Sequence, residues 1–313
     1  MLAKRVRDTF PVEDTIVTAI PSTALTDGTS QDRYRRWKRT VEDSSHDEIE
    51  YLVPRIALDV VWRWPEHLTP RGSGGRSAAD LTARVDELGP WSVPFQLDHG
   101  VVTMDQSLRS AVAEKWFLYR LDLINRAVAT LLGGGLADTS VLDIGCNCGL
   151  FSLDLAGRGV RRVDGVDLRP NNIAQARFLA ENYGITNATF EVGDADDIPA
   201  DAQWDVVLNL GVLYHVLNPF ELIRRSYELC RSFAVIDTVC HTEPVSGYFV
   251  MGDKDVNDAS EGKETYELHP TYRAVIDTIR YAGFAEIFEV VGRSEKPHPL
   301  YASGNRRCFL AVK

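Results

Sequence analysis

Residues 141–159, VLDIGCNCGLFSLDLAGRG, constrain the fold more than any other stretch of the chain. Val141, Leu142 and Ile144 surround a single acid, forming the short apolar run of a strand buried on both faces, and the run stops at Gly145. Leu150, Phe151, Leu153 and Leu155 then begin a helix. Strand, glycine turn and helix in this order is how an open α/β sheet holds a nucleotide-like ligand beyond a strand's carboxyl end. Gly145 and Gly149 let the backbone approach that ligand closely. The spacing is Asp-x-Gly-x-x-x-Gly, not Gly-x-Gly-x-x-Gly, and a carboxylate at Asp143 repels a pyrophosphate but attracts an ammonium group. An amino-acid-bearing nucleoside is favoured over a dinucleotide.

The remaining strands follow in register. Residues 162–167 read as a second strand ending in Asp167, 24 residues after Asp143 and suitably placed for two ribose hydroxyls. A helix starting at Pro170 and ending at Gly184 leads to a third strand at 188–192, followed by Gly193-Asp194-Ala195-Asp196. Residues 204–211 read as the fourth strand, and 233–239, 285–291 and 307–312 as the fifth to seventh. The expected fold is α/β and Rossmann-like: a seven-stranded, mostly parallel sheet with helices on both faces, occupying 140–313, plus an N-terminal accessory region.

This pattern resembles the class I S-adenosylmethionine-dependent methyltransferases, whose first motif reads much as Val141-Leu-Asp-Ile-Gly-Cys-Asn-Cys-Gly149 does. The resemblance implies S-adenosylmethionine as cofactor. It would be held by Asp143, Gly145, Cys146, Asn147 and Gly149 in the turn and by Asp167 and Leu168 at the ribose. Asp194 and Ala195 fall where the family contacts adenine, and Asn209 and Leu210 end the fourth strand beside the cofactor. The next segment, Gly211-Val-Leu-Tyr-His215, leaves that strand above the expected sulfonium, making Asn209, Tyr214 and His215 candidates for lining the reaction centre. Together with Trp91-x-x-x-Phe95-x-Leu97, Trp116 and Pro219, it resembles the branch typified by the tRNA wobble-uridine carboxymethyl-transferring enzyme, over roughly 89–313. Small-molecule methyltransferases share the motif. The resemblance therefore leaves open both the acceptor and the choice between adenosylmethionine and a carboxylated variant.

Methyl transfer from a sulfonium is an in-line displacement, so positioning and exclusion of water matter most. A hydroxyl or protonated amine needs a base, which His215 would supply; a thioether does not. His215 reads equally as a structural histidine at a strand end. Tyr214, the other catalytic candidate, would orient the acceptor through its hydroxyl or pack beside the cofactor.

Composition narrows the partners. The 313 residues carry a net charge of −11, which opposes binding of a polyanion. The one basic cluster, Arg33-Tyr-Arg-Arg-Trp-Lys-Arg39, reads as the solvated face of a helix at 32–42, because Tyr34, Trp37 and Val41 recur at helical spacing. Cys146, Cys148, Cys230, Cys240 and Cys308 are an odd number without disulfide-framework spacing, and neither they nor the histidines offer a zinc set, so no metal is expected. No run reaches a membrane span, and acids and a proline interrupt any signal-peptide pattern, which points to the cytoplasm.

The chain divides into a helical accessory region at 1–88, a cap at 89–139 and the core. The accessory region includes a helical pattern at 49–63, a flexible connection at 69–77 and a short helix at 81–88. The cap is a hairpin around Asp98-His99-Gly100 followed by a long helix over 107–132, closed by Gly133 to Gly135. Residues 240–268 lack helical or strand periodicity and are too long for a simple connection, which predicts a lid. Trp91, Phe95, Trp116, Tyr248 and Tyr266 are the substrate-binding candidates. The expected activity is methyl transfer to a small, amino-acid-like or natural-product acceptor through oxygen, nitrogen or sulfur; the alternative is modification of a tRNA wobble uridine. A small-molecule substrate and a homodimer are the expected partners, with nucleic acid disfavoured and no membrane.

Overall fold

The computed structural model describes residues 2–10, 12–13, 53–61, 63–71, 75–104, 111–199, 201–252, 265–295 and 297–313. The expected helix and basic cluster at 32–42 lie outside them. In chain order the elements are α1 (Leu2–Thr9), β1 (Val12–Glu13), β2 (Arg55–Asp59), α2 (Ala78–Glu87) and α3 (Ala111–Leu132). Then come β3 (Ser140–Ile144), α4 (Leu150–Gly157), β4 (Arg162–Asp167), α5 (Pro170–Tyr183), β5 (Ala188–Val192) and β6 (Trp204–Leu210). The chain continues through α6 (Pro219–Leu229), β7 (Cys230–Val239), β8 (Tyr248–Met251), β9 (Glu267–Pro270) and α7 (Tyr272–Ala282). It closes with β10 (Glu286–Arg293), α8 (Pro299–Ala302) and β11 (Arg306–Val312).

The main sheet runs β1-β2-β10-β11-β7-β6-β3-β4-β5. All seven expected core strands are present, and β1 and β2 extend the sheet to nine. From β3 the chain winds outward through β4 and β5 on one side, then returns to β6 and β7 on the other. The order reverses between β3 and β6, and the crevice at their carboxyl ends is where such sheets place ligands.

Period-two alternation sorts the strand residues to two faces. Val141, Leu208, Val235 and Leu310 pack with Leu123, Ile124 and Ala127 of α3. Leu142, Val207, Ile236 and Phe309 pack instead with Ile223 of α6 and Val275 and Ile279 of α7. The capping segment contributes a third cluster, in which Trp91 and Phe95 meet Phe178 and Tyr183 of α5.

Three expectations are corrected. The helical pattern at 49–63 gives the strand β2 within its described part, because Arg55–Asp59 pairs in parallel with Glu289 to Arg293 and buries Ile56 and Leu58. Apolar residues at mixed three- and four-residue spacing also fit a strand buried on both faces, and sheet pairing decides the outcome. Residues 240–268 are not without strands: β8 and β9 form an antiparallel hairpin, with residues 253–264 outside the described set. The expected hairpin near Asp98 is reduced to a bridge between Gln96 and Val102 around a single helical turn. Among the described residues, no helix is long and apolar enough to cross a membrane.

Candidate active site

The turn after β3 is built from backbone conformations that few residues adopt. Gly145 and Gly149 sit at φ +68° and +83°, and Asn147 between them at +50°. A Cβ on Gly145 would lie 2.4 Å from Cγ2 of Val212, and one on Gly149 would touch the Phe190 ring at 3.0 Å. Cys146 N donates to Val166 O at 2.9 Å, tying the turn to β4. Asn147 contributes twice: its side-chain oxygen accepts from Cys148 N at 2.7 Å, and its own N–H donates to Oδ2 of Asp167 at 2.9 Å.

Asp167, at the end of β4, also accepts from Arg169 N at 2.9 Å and Asn172 Nδ2 at 3.1 Å. Asp143 is buried beneath the turn and accepts from Ser152 Oγ at 2.6 Å. Burial pushes its carboxyl up to about 7, with Ser152 pulling the other way and the Asp167 charge adding to the rise. Asp194 caps the short turn Ala195–Asp197.

These groups surround a cavity of about 640 Å³ at the carboxyl ends of β3, β4 and β6. Asp143, Gly145, Cys146, Asn147, Asp167, Leu168, Asp194, Ala195 and Leu210 line it, as do Tyr214 and His215 after β6. Gly149, the residue before α4, is not among the lining residues, although its neighbours Cys148 and Leu150 are. His215 Nδ1 lies 2.8 Å from Oε1 of Glu267, and the Tyr214 and His215 rings are 4.2 Å apart.

Other candidates fall elsewhere. Asn209 alternates to the opposite face from Leu210, where its buried amide donates to Ser226 Oγ at 3.5 Å. Trp91 donates from Nε1 to Val85 O at 2.8 Å and packs against Phe95, which has no exposed surface. Both are core residues holding the cap to α5, because rings this large are worth more buried than lining a polar cavity. Tyr248 bonds Oγ1 of Thr278 at 2.6 Å, away from the cavity, and Tyr266 is 54% exposed beside Gly252. The Trp116 side chain lies outside the described residues.

Sequence reasoning passed over a charged cluster in the cavity wall. Asp237 of β7 is fully buried and accepts from Arg120 Nη2 at 2.7 Å, Arg306 Nε at 2.8 Å and the Tyr301 hydroxyl. Burial alone would raise its carboxyl, but Arg306 and Arg120 hold it below the usual carboxylate range. Both guanidinium groups reach the cavity, where Gly211 leaves them room: a Cβ there would stand 3.0 Å from Arg306 Nη2. The available signal was a lone acid inside Phe233-Ala-Val-Ile-Asp-Thr-Val239, which cannot stay buried without cations.

A family model described as a methyltransferase domain matches residues 141–232, the stretch from the glycine turn to the start of β7. A ubiquinone biosynthesis O-methyltransferase of Ruegeria pomeroyi is 34% identical over 178 residues, covering 54% of this chain and 71% of that protein. The chain belongs to the class I S-adenosylmethionine-dependent methyltransferases.

A tRNA U34 carboxymethyltransferase of Pasteurella multocida aligns with this methyltransferase over 260 residues at 24% identity, covering 81% of this chain and 72% of that protein. The O-antigen chain terminator bifunctional methyltransferase/kinase WbdD of Escherichia coli is 35% identical over 200 residues, or 61% of this chain. The chain spans only 25% of that protein and 51% of a ubiquinone biosynthesis O-methyltransferase of Cereibacter sphaeroides. Among solved structures, the N-terminal domain of EvdMO1 with SAH bound superposes with a TM-score of 0.58 at 20% identity, covering 77% of this chain and 98% of that one, which establishes a shared fold.

S-adenosylmethionine is the cofactor, and it supplies an electrophilic methyl on a sulfonium. The glycine turn, which has no room for a Cβ at Gly145 or Gly149, the acid at the end of β4 and the buried carboxyl of Asp143 on the cavity wall suit a nucleoside carrying an amino-acid tail.

Proposed function

We propose that this methyltransferase acts on a hydroxyl group of a small molecule, with His215 taking the acceptor's proton. The observation that carries the reading is the position of His215: it is the one imidazole among the described lining residues of the cavity, and it stands just past β6, in the segment whose Val212 abuts Gly145. Imidazole is the side chain whose ordinary titration suits proton uptake near neutral pH. Tyr214 beside it would orient the acceptor through its hydroxyl. A cavity of about 640 Å³ falls in the range that holds small ligands. The O-methyltransferase names of several relatives support the same class, and an amino-acid-like or natural-product alcohol or phenol is the acceptor type to try first.

The cofactor contacts follow from the same geometry. Asp167 would take the ribose hydroxyls, Leu168 and Ala195 would enclose the adenine with Asp194 at its edge, and Asp143 would meet the ammonium. A tRNA wobble-uridine substrate is the second reading, favoured by the carboxymethyltransferase relative that aligns with most of the chain. The net charge of −11 speaks against it.

The test is adenosylhomocysteine release from a panel of alcohols, phenols and hydroxy acids, set against labelled cofactor with bulk tRNA. A small hydroxyl acceptor should be methylated with weak salt dependence, and His215→Ala should lower kcat about a hundredfold with little change in melting temperature. Label in tRNA, with binding that falls steeply as salt rises, would replace this reading with the second. Equal turnover in His215→Ala and parent would return the histidine to a structural role.

A further inference from the structure

The hairpin formed by β8 and β9 brings a second pair of ionisable side chains to the back of His215. Glu267 and His269 are two residues apart on β9, so both project from the same face of the strand. That face meets the turn Leu213–His215. Glu267 is 2% exposed, with Oε1 2.8 Å from His215 Nδ1 and Oε2 2.7 Å from His269 Nε2. The Tyr214 ring closes the group, 4.2 Å from the His215 ring and edge-on to His269 at 5.5 Å. One buried carboxylate is thus held between two imidazoles, outside the cavity lining but in contact with it through His215.

We infer that Glu267 is a positioning residue for methyl transfer, fixing the tautomer of His215 so that its Nε2 lone pair is the one presented to the acceptor. The inference rests on the reading of His215 as the base and adds the residue through which the base is prepared. A buried carboxylate must be met by donors. His269 Nε2 hydrogen-bonds Oε2 at 2.7 Å, and His215 Nδ1, 2.8 Å from Oε1 but off the line of a hydrogen bond, would meet the carboxylate as a donor once its N–H turns toward it. A histidine donating from Nδ1 carries its lone pair on Nε2, the arrangement in which a carboxylate orients a base without itself becoming protonated. The step balances with no further reactant: an oxygen–carbon bond forms as the sulfur–carbon bond breaks with its electron pair left on sulfur, and the acceptor's proton passes to Nε2 of His215. The resulting imidazolium rests against the Glu267 charge. His269 makes the arrangement rigid, because it holds the second carboxylate oxygen and prevents rotation away from His215. The requirement for a proton to be removed also narrows the acceptor class to an O–H or N–H group and excludes a thioether.

The experiment uses the full chain labelled with ¹⁵N at histidine, with His215→Ala to assign the resonances. In the parent, His215 should show the Nδ1–H tautomer. In Glu267→Ala it should shift to the Nε2–H form, and in Glu267→Gln only one of the two imidazoles should keep its parent tautomer, since an amide offers a single acceptor. Kinetically, Glu267→Gln should lower kcat about a hundredfold with KM within about threefold, and Glu267→Asp should recover to within about tenfold of parent. Parent-like nitrogen spectra in Glu267→Gln and in Glu267→Ala, or kcat within about twofold of parent in Glu267→Gln, would overturn the assignment. Should Glu267→Ala fail to fold, Glu267→Gln, with nearly the same volume, carries both comparisons. If the parent methylates no hydroxyl acceptor, the substrate reading falls, while the nitrogen spectra still decide the role of Glu267.

Discussion

Asp143 holds a proton that an exposed aspartate would have lost, because burial lifts its carboxyl to about 7. The sign follows directly: between the ordinary carboxylate range and about 7 the folded chain binds more protons than the unfolded one, so this group's contribution to stability fades as pH rises through that window. An arriving ammonium reverses the preference and favours the ionised form. Cofactor affinity should therefore increase with pH up to about 7 in the parent, with proton release, and become nearly flat in Asp143→Asn. Calorimetry in buffers of different ionisation enthalpy measures both effects, and an unchanged pH slope in the variant would remove the ammonium from this site. Asp167 has a double task, since two backbone N–H groups of the cofactor loops already rest on the carboxylate expected to meet the ribose. Asp167→Ala should weaken cofactor binding by about 2 to 4 kcal/mol in a titration. Unchanged affinity would sink the assignment. The carboxylates at the strand ends were legible because spacing along the chain fixes their place in an open sheet. Glu267 and Arg306 were not, because their partners, His215 and Asp237, lie 52 and 69 residues away and only the folded sheet brings them together.

Among the elements, the turn joining β3 to α4 has the least freedom. Gly145→Ala would place a methyl 2.4 Å from Val212 Cγ2 at a φ of +68°, combining a clash with a conformation costing an L-residue about 1 to 2 kcal/mol. The variant should lose measurable cofactor binding, and adding Val212→Ala should restore part of it by removing the clash but not the strain. Parent affinity in Gly145→Ala alone would refute this account of the turn. Elements of this kind announce themselves in sequence, because glycine and the flanking apolar run are both obligatory. β2 does not: Arg55–Asp59 is a strand only because β10 lies beside it, and the local pattern 49–63 fits a helix as well. The hairpin β8–β9 was hidden for a related reason. Phe249, Val250 and Met251 are exposed, so no buried face imposes an alternating pattern on them.

At the scale of the whole molecule, β1 and β2 belong to the same sheet as the catalytic core. β2 hydrogen-bonds along β10 from Arg55 to Asp59, Arg55 Nε donates to the buried Glu289 at 3.0 Å, and Val6 and Phe10 join the cluster beneath α3. Deleting residues 1–61 would give a fragment that keeps α3 and the seven core strands, yet it would leave β10 with a bare row of amide and carbonyl groups. Such a row is a template for any extended chain that meets it, another copy of the fragment included. The trimmed core should consequently self-associate at concentrations where the full chain scatters no light, and a monomeric, stable fragment would show the covering strand to be dispensable. Where the trimmed core self-associates, the N-terminal segment is a guard rail for the sheet: none of its described residues lines the cavity, and its part is to cover an edge that would otherwise recruit other chains.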